Sequence, residues 1–195
     1  MSSKMPFKKM KKAKRNQKNN VSKDRWLAKA LETLESNGVE GVKIERLAKA
    51  LGISRSGFYW HFKNRQDLLE SILDYWVREY TGVVSNTPDV KKLDPKKRLL
   101  TVMDMIRDKN LNKYDLAINA WAKVDPLARK ALKKAVNIRL VFLRSIFADL
   151  GFDGDELEMR TRLFVCYHSW ENTMFADVSR QKHLHKLRYK LFIKN

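Results

Sequence analysis

The sequence predicts an all-α protein, and three observations carry that prediction. Gly and Pro are scarce, 7 and 4 of 195 residues, while apolar content is an ordinary 44%. A chain so poor in turn residues favours helices over sheets. From Ser22 onward, apolar residues recur at helical spacing between capping signals, and nowhere does the chain alternate apolar and polar residues as a half-buried strand would. The expected architecture is about nine helices, the first three forming a helix-turn-helix domain and the rest a C-terminal bundle.

Residues 1–20 hold eight Lys/Arg and no acid. They read as a disordered basic arm, the first part of an expected division into 1–20, 21–82 and 83–195. Ser22 is placed to cap the first helix, with Asp24 in its first turn and Trp26, Ala30, Leu31 and Leu34 forming one apolar stripe. Gly38 ends it. A second helix runs from about Lys43 to Ala50, with Ile44, Leu47, Ala48 and Leu51 inward and Gly52 at its stop. Ser54 opens a third, "SRSGFYWHF". Asn64 and Asp67 have capping-box spacing for a fourth, which reaches about Tyr80. "SNTPDVKKLDP" reads as a linker. Asp94-Pro95 and Asp125-Pro126 each set a capping acid before a Pro suited to a first helical turn. Helices are expected at about 95–108, 112–124, 126–150, 154–176 and 179–193, with Gly151 and Gly154 punctuating the last long pair.

The third helix carries the functional signal. At ~100° per residue, Phe58 and Phe62 share one face, Ser56, Gly57 and Trp60 lie roughly opposite, and Tyr59 and His61 fall on the flanks. Two Phe anchors would then leave a reading face of Ser, Gly and Trp. A Gly lets a helix approach its target closely. A Ser hydroxyl can bond a base edge, an indole can press on thymine methyls, and Arg55 can address guanine with two hydrogen bonds. Tyr59 and His61 suit the phosphate walls of a groove.

Residues 24–76 resemble the DNA-binding domain of tetracycline-repressor (TetR) family transcriptional regulators. The resemblance rests on "ALGIS" leading into "GFYWHF", on Asn64-Arg65, and on the "LL" that opens the next helix. It implies a fully helical homodimer, a ligand-binding and dimerisation bundle after the helix-turn-helix, and double-stranded DNA as partner. By resemblance Arg55, Ser56, Gly57 and Trp60 contact bases, while Lys43, Tyr59, His61 and Arg65 contact phosphates. Lys43 stands where the family usually has a capping Thr or Ser; a lysine cannot cap by accepting a hydrogen bond. Gly57 stands where many members have a larger residue.

The same resemblance implies an effector pocket after the linker, lined from Trp76, Tyr80, Met103, Ile106, Trp121, Phe142, Phe164, Tyr167, His168 and Met174, for a small apolar or amphipathic molecule. Asn119, Asn137, His168, Glu171 and Asn172 are polar residues in apolar surroundings, able to orient a ligand where they are buried. The helices at about 154–176 and 179–193 would pair with their mates in a dimer.

Other chemistries find no motif. His183 and His185, two apart, point ~200° away from each other on a helix and cannot share a metal ion. Cys166, in an apolar run, reads as inert core. There is no nucleophile, paired-carboxylate or phosphate-loop motif, so neither an enzyme nor a cofactor is expected. The acids Asp153, Asp155, Glu156 and Glu158 sit at a helix start, where the dipole favours them.

A net charge of +19, still +11 without residues 1–20, implies a polyanionic partner. The alternative to a specific regulator is an effector-independent nucleoid-associated protein; membrane-surface anchoring by the arm is a third idea. A single Cys fits a reducing compartment. No run approaches ~18 apolar residues, and the basic N-terminus lacks a signal peptide's apolar core. The expected location is therefore the cytoplasm, in association with the nucleoid, without membrane insertion.

Overall fold

The computed structural model describes residues 21–174 and 178–193. The expected basic arm at 1–20 lies outside the described residues, as do the side chains of Asn172 and His183. The described chain is helical and contains no strand. The described residues divide into two compact units, which part between Tyr75 and Trp76.

In the N-terminal unit, α1 (Lys23–Gly41) begins at Ser22, whose hydroxyl accepts from the Arg25 amide. Gly38 breaks it as expected: its φ of 66° is left-handed, and the chain resumes a last turn to Gly41. The α1 stripe of Trp26, Ala30, Leu31 and Leu34 is fully buried. Next, α2 (Ile44–Leu51) ends on Gly52 at φ 69°. Lys43 precedes α2 with no side-chain cap, in line with its chemistry. A 3₁₀ helix (Arg55–Trp60) follows, then α3 (Arg65–Val77). Asn64 caps the Asp67 amide at 2.9 Å, while the Asp67 carboxylate reaches one residue further back, to the Lys63 amide at 2.8 Å.

The division falls seven residues before the expected 82/83 boundary. The reason is that the helix does not stop at its linker. It continues through a π-helical turn (Arg78–Gly82) into α4 (Val83–Ser85), and Trp76, Thr81 and Val84 are all buried. The "linker" itself forms a further turn, α5 (Pro88–Lys92), started by Pro88 and held by buried Val90.

The C-terminal unit then runs α6 (Pro95–Asp108), α7 (Asp115–Val124), α8 (Pro126–Asp149), α9 (Gly154–Met174) and α10 (Val178–Ile193). Residues 109–114 turn rather than helix, delaying α7 past its expected start at 112. Asp94 caps the Lys97 amide at 3.1 Å, and Asp125 caps Leu127 at 2.7 Å. Gly151, at φ 93°, ends α8 and returns buried Phe152 onto Phe147, with ring centroids 6.1 Å apart. Leu99, Val102, Met103, Ile146, Phe147 and Phe164 form the centre of this core.

Asp125 does two jobs, since its other oxygen accepts from the Trp121 indole at 3.0 Å. Asp125→Ala should lower stability by ~1–2 kcal/mol through the lost cap and the stranded indole N–H, read as an earlier urea unfolding midpoint.

Candidate functional site

The string "SRSGFYWHF" folds around its two Phe anchors as its phase requires. Phe58 and Phe62 are buried with rings 5.1 Å apart, and Trp26 packs edge-on to Phe58 at 5.5 Å. Trp60 is 85% exposed and Tyr59 53%. The expected α-helix is instead 3₁₀: the Gly57 amide bonds the Ser54 carbonyl at 3.1 Å and the His61 amide the Phe58 carbonyl at 3.0 Å. Two local features act against an α-helix here. The Ser54 hydroxyl bonds Ser56 Oγ at 2.8 Å rather than capping, and Gly57 is a poor helix former. Because residues three apart eclipse in a 3₁₀ helix, Gly57 lines up with Trp60 and Ser56 with Tyr59. The outward surface is thus two short rows.

Gly57 does not have a left-handed φ, and a Cβ there would meet only Ile53 Cδ1 at an ordinary 3.6 Å. Nothing in the fold requires glycine. Arg55 makes an exposed ion pair with Glu45 at 3.1 Å, and its hydrogen bond with Tyr59, then the Glu45 charge, raises its pKa. Such an exposed pair is weakly held and readily released. Lys43 is exposed.

Two of the expected phosphate contacts, Arg65 and His61, make hydrogen bonds within the fold. Arg65 donates from Nε to the Val42 carbonyl at 2.8 Å and from Nη2 to the Val39 carbonyl at 2.6 Å. Its planar fork suits the α1–α2 corner, which offers two outward carbonyls, so it closes that corner. His61 Nε2 lies 2.7 Å from the Val21 carbonyl. A carbonyl only accepts, so Nε2 carries the proton and its donor is spent on the segment entering α1. Lys63, exposed beside them, is a cation that the sequence reading passed over.

The charge is also distributed unexpectedly. Residues 21–75 hold nine Lys/Arg against eight Asp/Glu, a net of +1. Residues 76–195 hold 24 against 14, a net of +10, and the arm supplies the other +8. The basic excess lies outside the helix-turn-helix.

Within the C-terminal unit, a largely apolar chamber of about 60 Å³ opens among the π-helical turn, α6, α8 and α9. Five of the expected residues line it: Tyr80, Ile106, Phe142, Phe164 and His168. Met103 lines an adjoining cleft of about 20 Å³. The other four are elsewhere. Trp76 is buried beneath the Arg139 guanidinium, 5.7 Å from its ring. Trp121 is bound to Asp125, Tyr167 donates to Glu171 at 3.2 Å, and Met174 is exposed. Cys166 is exposed rather than core, because burying Phe164 and His168 turns the residue between them outward.

The sequence reading missed the chamber's polar wall, Thr81, Asn112, Arg139 and Ser169. Arg139 binds both Asp115 oxygens, at 2.5 and 3.0 Å, and also Thr81 at 3.0 Å and Ser169 at 3.1 Å. An arginine flanked by Ile138, Leu140, Phe142 and Leu143 was the available signal.

His168 is buried, stacked on Phe164 at 3.9 Å, with Nδ1 2.8 Å from the Phe164 carbonyl. Nδ1 therefore carries the proton, and Nε2 is a bare acceptor with no partner among the described residues. Burial first, with the Arg188 charge adding to it, pushes its pKa down to about 3, against the Phe164 hydrogen bond. Among the described residues no His, Cys, Asp or Glu cluster could hold a metal ion, and no helix is long and apolar enough to cross a membrane.

The first unit is therefore a helix-turn-helix domain with an exposed aromatic second element. Residues 27–72 match the family model for bacterial regulatory proteins of the tetR family. The tetracycline repressor protein class C of Escherichia coli is 38% identical over 56 residues, 29% of this chain and 26% of that one. The HTH-type transcriptional regulator AcrR of Shigella flexneri is 40% identical over 43 residues, 22% of this chain and 20% of that one. These alignments span about a quarter of the relatives' length. A TetR transcriptional regulator from Legionella pneumophila superposes over 90% of this chain and 98% of its own with TM-score 0.71 at 15% identity. FadR from Bacillus subtilis, solved in complex with stearoyl-CoA, does so over 89% and 98% with TM-score 0.66 at 17% identity. Residues 27–72 thus match the tetR-family helix-turn-helix model, and the chain shares its overall fold with these solved structures.

Acid should destabilise this protein through His168. Its folded pKa lies below the unfolded value of 6.5. The unfolded chain therefore takes up the proton first, and stability falls as pH drops from about 6.5 towards 3, by up to ~1.4 kcal/mol per pH unit. Urea unfolding at pH 7 and pH 5 should show that loss, and a smaller pH dependence in His168→Gln.

Proposed function

We propose that this chain is a homodimeric, sequence-specific DNA-binding transcriptional regulator, a repressor released by a small apolar or amphipathic effector. The observation that carries the reading is Trp60, 85% exposed on a short helix that Phe58 anchors from beneath. An exposed indole on a rigid, Gly-bearing row matches a groove-reading surface. Ser56 and Gly57 lie on the same two outward rows, and Arg55 can exchange Glu45 for a guanine edge. Lys43, Tyr59 and Lys63 are the exposed phosphate partners; Arg65 and His61 act by holding the frame.

One such element reads too few base pairs alone, so the functional unit is a dimer. Two exposed apolar rows support that assembly: Met159 and Leu163 on α9, and Leu184, Leu187 and Leu191 on α10. Their spacing places each row on one helix face. Leu163→Glu combined with Leu187→Glu should give a monomer in sedimentation velocity, with far-UV circular dichroism unchanged. An effector in the 60 Å³ chamber would shift the population between DNA-competent and incompetent dimers.

The charge distribution favours a second reading, an effector-independent nucleoid protein that coats DNA through the arm and the +10 C-terminal unit. Electrophoretic shift on the DNA upstream of its own coding sequence, with random competitor at ~200 mM salt, separates the two, because purely electrostatic binding collapses there. A regulator keeps a shifted band that Trp60→Ala abolishes. Gly57→Ala should leave the unfolding midpoint unchanged or raised while weakening that band; a band insensitive to both substitutions would sink the assignment.

A further inference from the structure

The effector reading leaves open what chemistry the chamber selects, and two buried atoms beside it bear on that question. The 60 Å³ chamber and the 20 Å³ cleft share Ile106, Asn112 and His168, so His168 sits at their junction. Its Nε2 is a buried acceptor with no partner among the described residues. Arg188, which is 92% buried and lines the same cleft, carries a buried Nε–H donor that likewise has no partner among the described residues. The rest of its guanidinium is engaged: Nη1 on Glu171, Nη2 donating to His185 Nδ1 at 2.6 Å. Asn112 is also committed, through its amide nitrogen to the His168 carbonyl at 2.6 Å.

Resting on the effector reading above, we propose that the site takes an uncharged ligand whose apolar body fills the chamber and whose single hydroxyl donates to His168 Nε2 and accepts from Arg188 Nε. An unmade hydrogen bond at a buried polar atom is costly, and a hydroxyl supplies both partners from one atom. A carboxylate would suit Arg188 alone. It would set lone pairs against the bare imidazole lone pair, and His168 at about pKa 3 does not take up a proton to relieve this near pH 7. The Arg188 charge is already balanced by Glu171. A hydrocarbon would fill the chamber and leave both polar atoms unmet. The magnitude of the space adds a constraint. An apolar cavity of ~150 Å³ admits benzene. At about 60 Å³ this chamber is smaller, so a ring-sized ligand must move wall side chains such as Ile106 and Phe142 apart. That displacement is the differential interaction a ligand-driven population shift requires.

The test uses the full chain at pH 7 and three probes of similar size, phenol, benzoate and toluene, followed by calorimetry and by ¹⁵N-histidine NMR. Phenol should bind at least tenfold more tightly than either of the others and move the His168 Nε2 resonance as it becomes an acceptor. His168→Phe and Arg188→Met should each reduce the preference for phenol over toluene to less than threefold, and the ratio is informative even if either variant is less stable. Toluene or benzoate binding as tightly as phenol would overturn the ligand class while leaving the effector function standing. If none of the three binds the wild-type protein at millimolar concentration, both this proposal and the effector reading fail, with the DNA-binding reading untouched.

Discussion

A guanidinium–carboxylate contact inside the C-terminal unit holds together the segments on which any ligand response depends. Arg139 on α8 grips both oxygens of Asp115 on α7, takes in Thr81 from the π-helical turn and reaches Ser169 on α9. Each partner comes from a different segment, so one side chain fixes the mutual placement of four. Removing either member of such a buried pair costs about 3–5 kcal/mol, because it strands the other charge. The pair itself contributes far less net stability than that, since two ions had to leave water. Its value is specificity: it dictates where the chamber walls stand, and the π-helical turn that brings Tyr80 and Thr81 to the chamber is retained at the point where Thr81 is held.

The N-terminal unit uses the same device on a smaller scale. Arg65 spends its fork on the carbonyls of Val39 and Val42, which belong to the corner opened by the break at Gly38. His61 ties the last residue of the 3₁₀ segment's turn to Val21, where α1 is about to begin. Both sit beside the exposed 3₁₀ element, and both make hydrogen bonds within the frame. With Phe58 and Phe62 inside, they leave an exposed element whose position is fixed from beneath and from both ends. That explains how a unit with a net charge of only +1 can still be built to meet DNA. The basic excess, the other +18 of the sequence, lies outside this unit.

How much of this was legible in the sequence follows from the range of the forces involved. Caps are local, and Ser22, Asp94 and Asp125 sit where their chemistry placed them. Burial phase is nearly as local, which is why Phe58, Phe62, Trp60 and the α1 stripe were readable from spacing alone. The failures involve partners far apart in sequence. Arg65 bonds a carbonyl 26 residues away and Arg139 an acid 24 residues away, and no helical wheel reports either. The 3₁₀ geometry was missed for a different reason: over the two steps from Phe58 to Trp60, turns of ~100° and ~120° diverge by only ~40°, too little to change which of the two is buried. Cys166 was misjudged because an apolar run on a long helix has two sides, and only one faces the core.

The same logic bears on His168, the residue where the sequence reading and the structure agree on place but differ on meaning. It was expected to line the effector pocket and, as one of several polar groups in an apolar stretch, to be able to orient a ligand. The structure gives it half of one: Nδ1 is satisfied by its own helix, and that bond fixes which nitrogen is left bare. Burial then keeps the bare nitrogen unprotonated far below neutral pH. A residue with both nitrogens satisfied would be inert packing, and one that titrated near pH 7 would accept either ligand charge. His168 is neither, so its stacking on Phe164 and its depth determine the sign of the hydrogen bond that any occupant of the junction must bring.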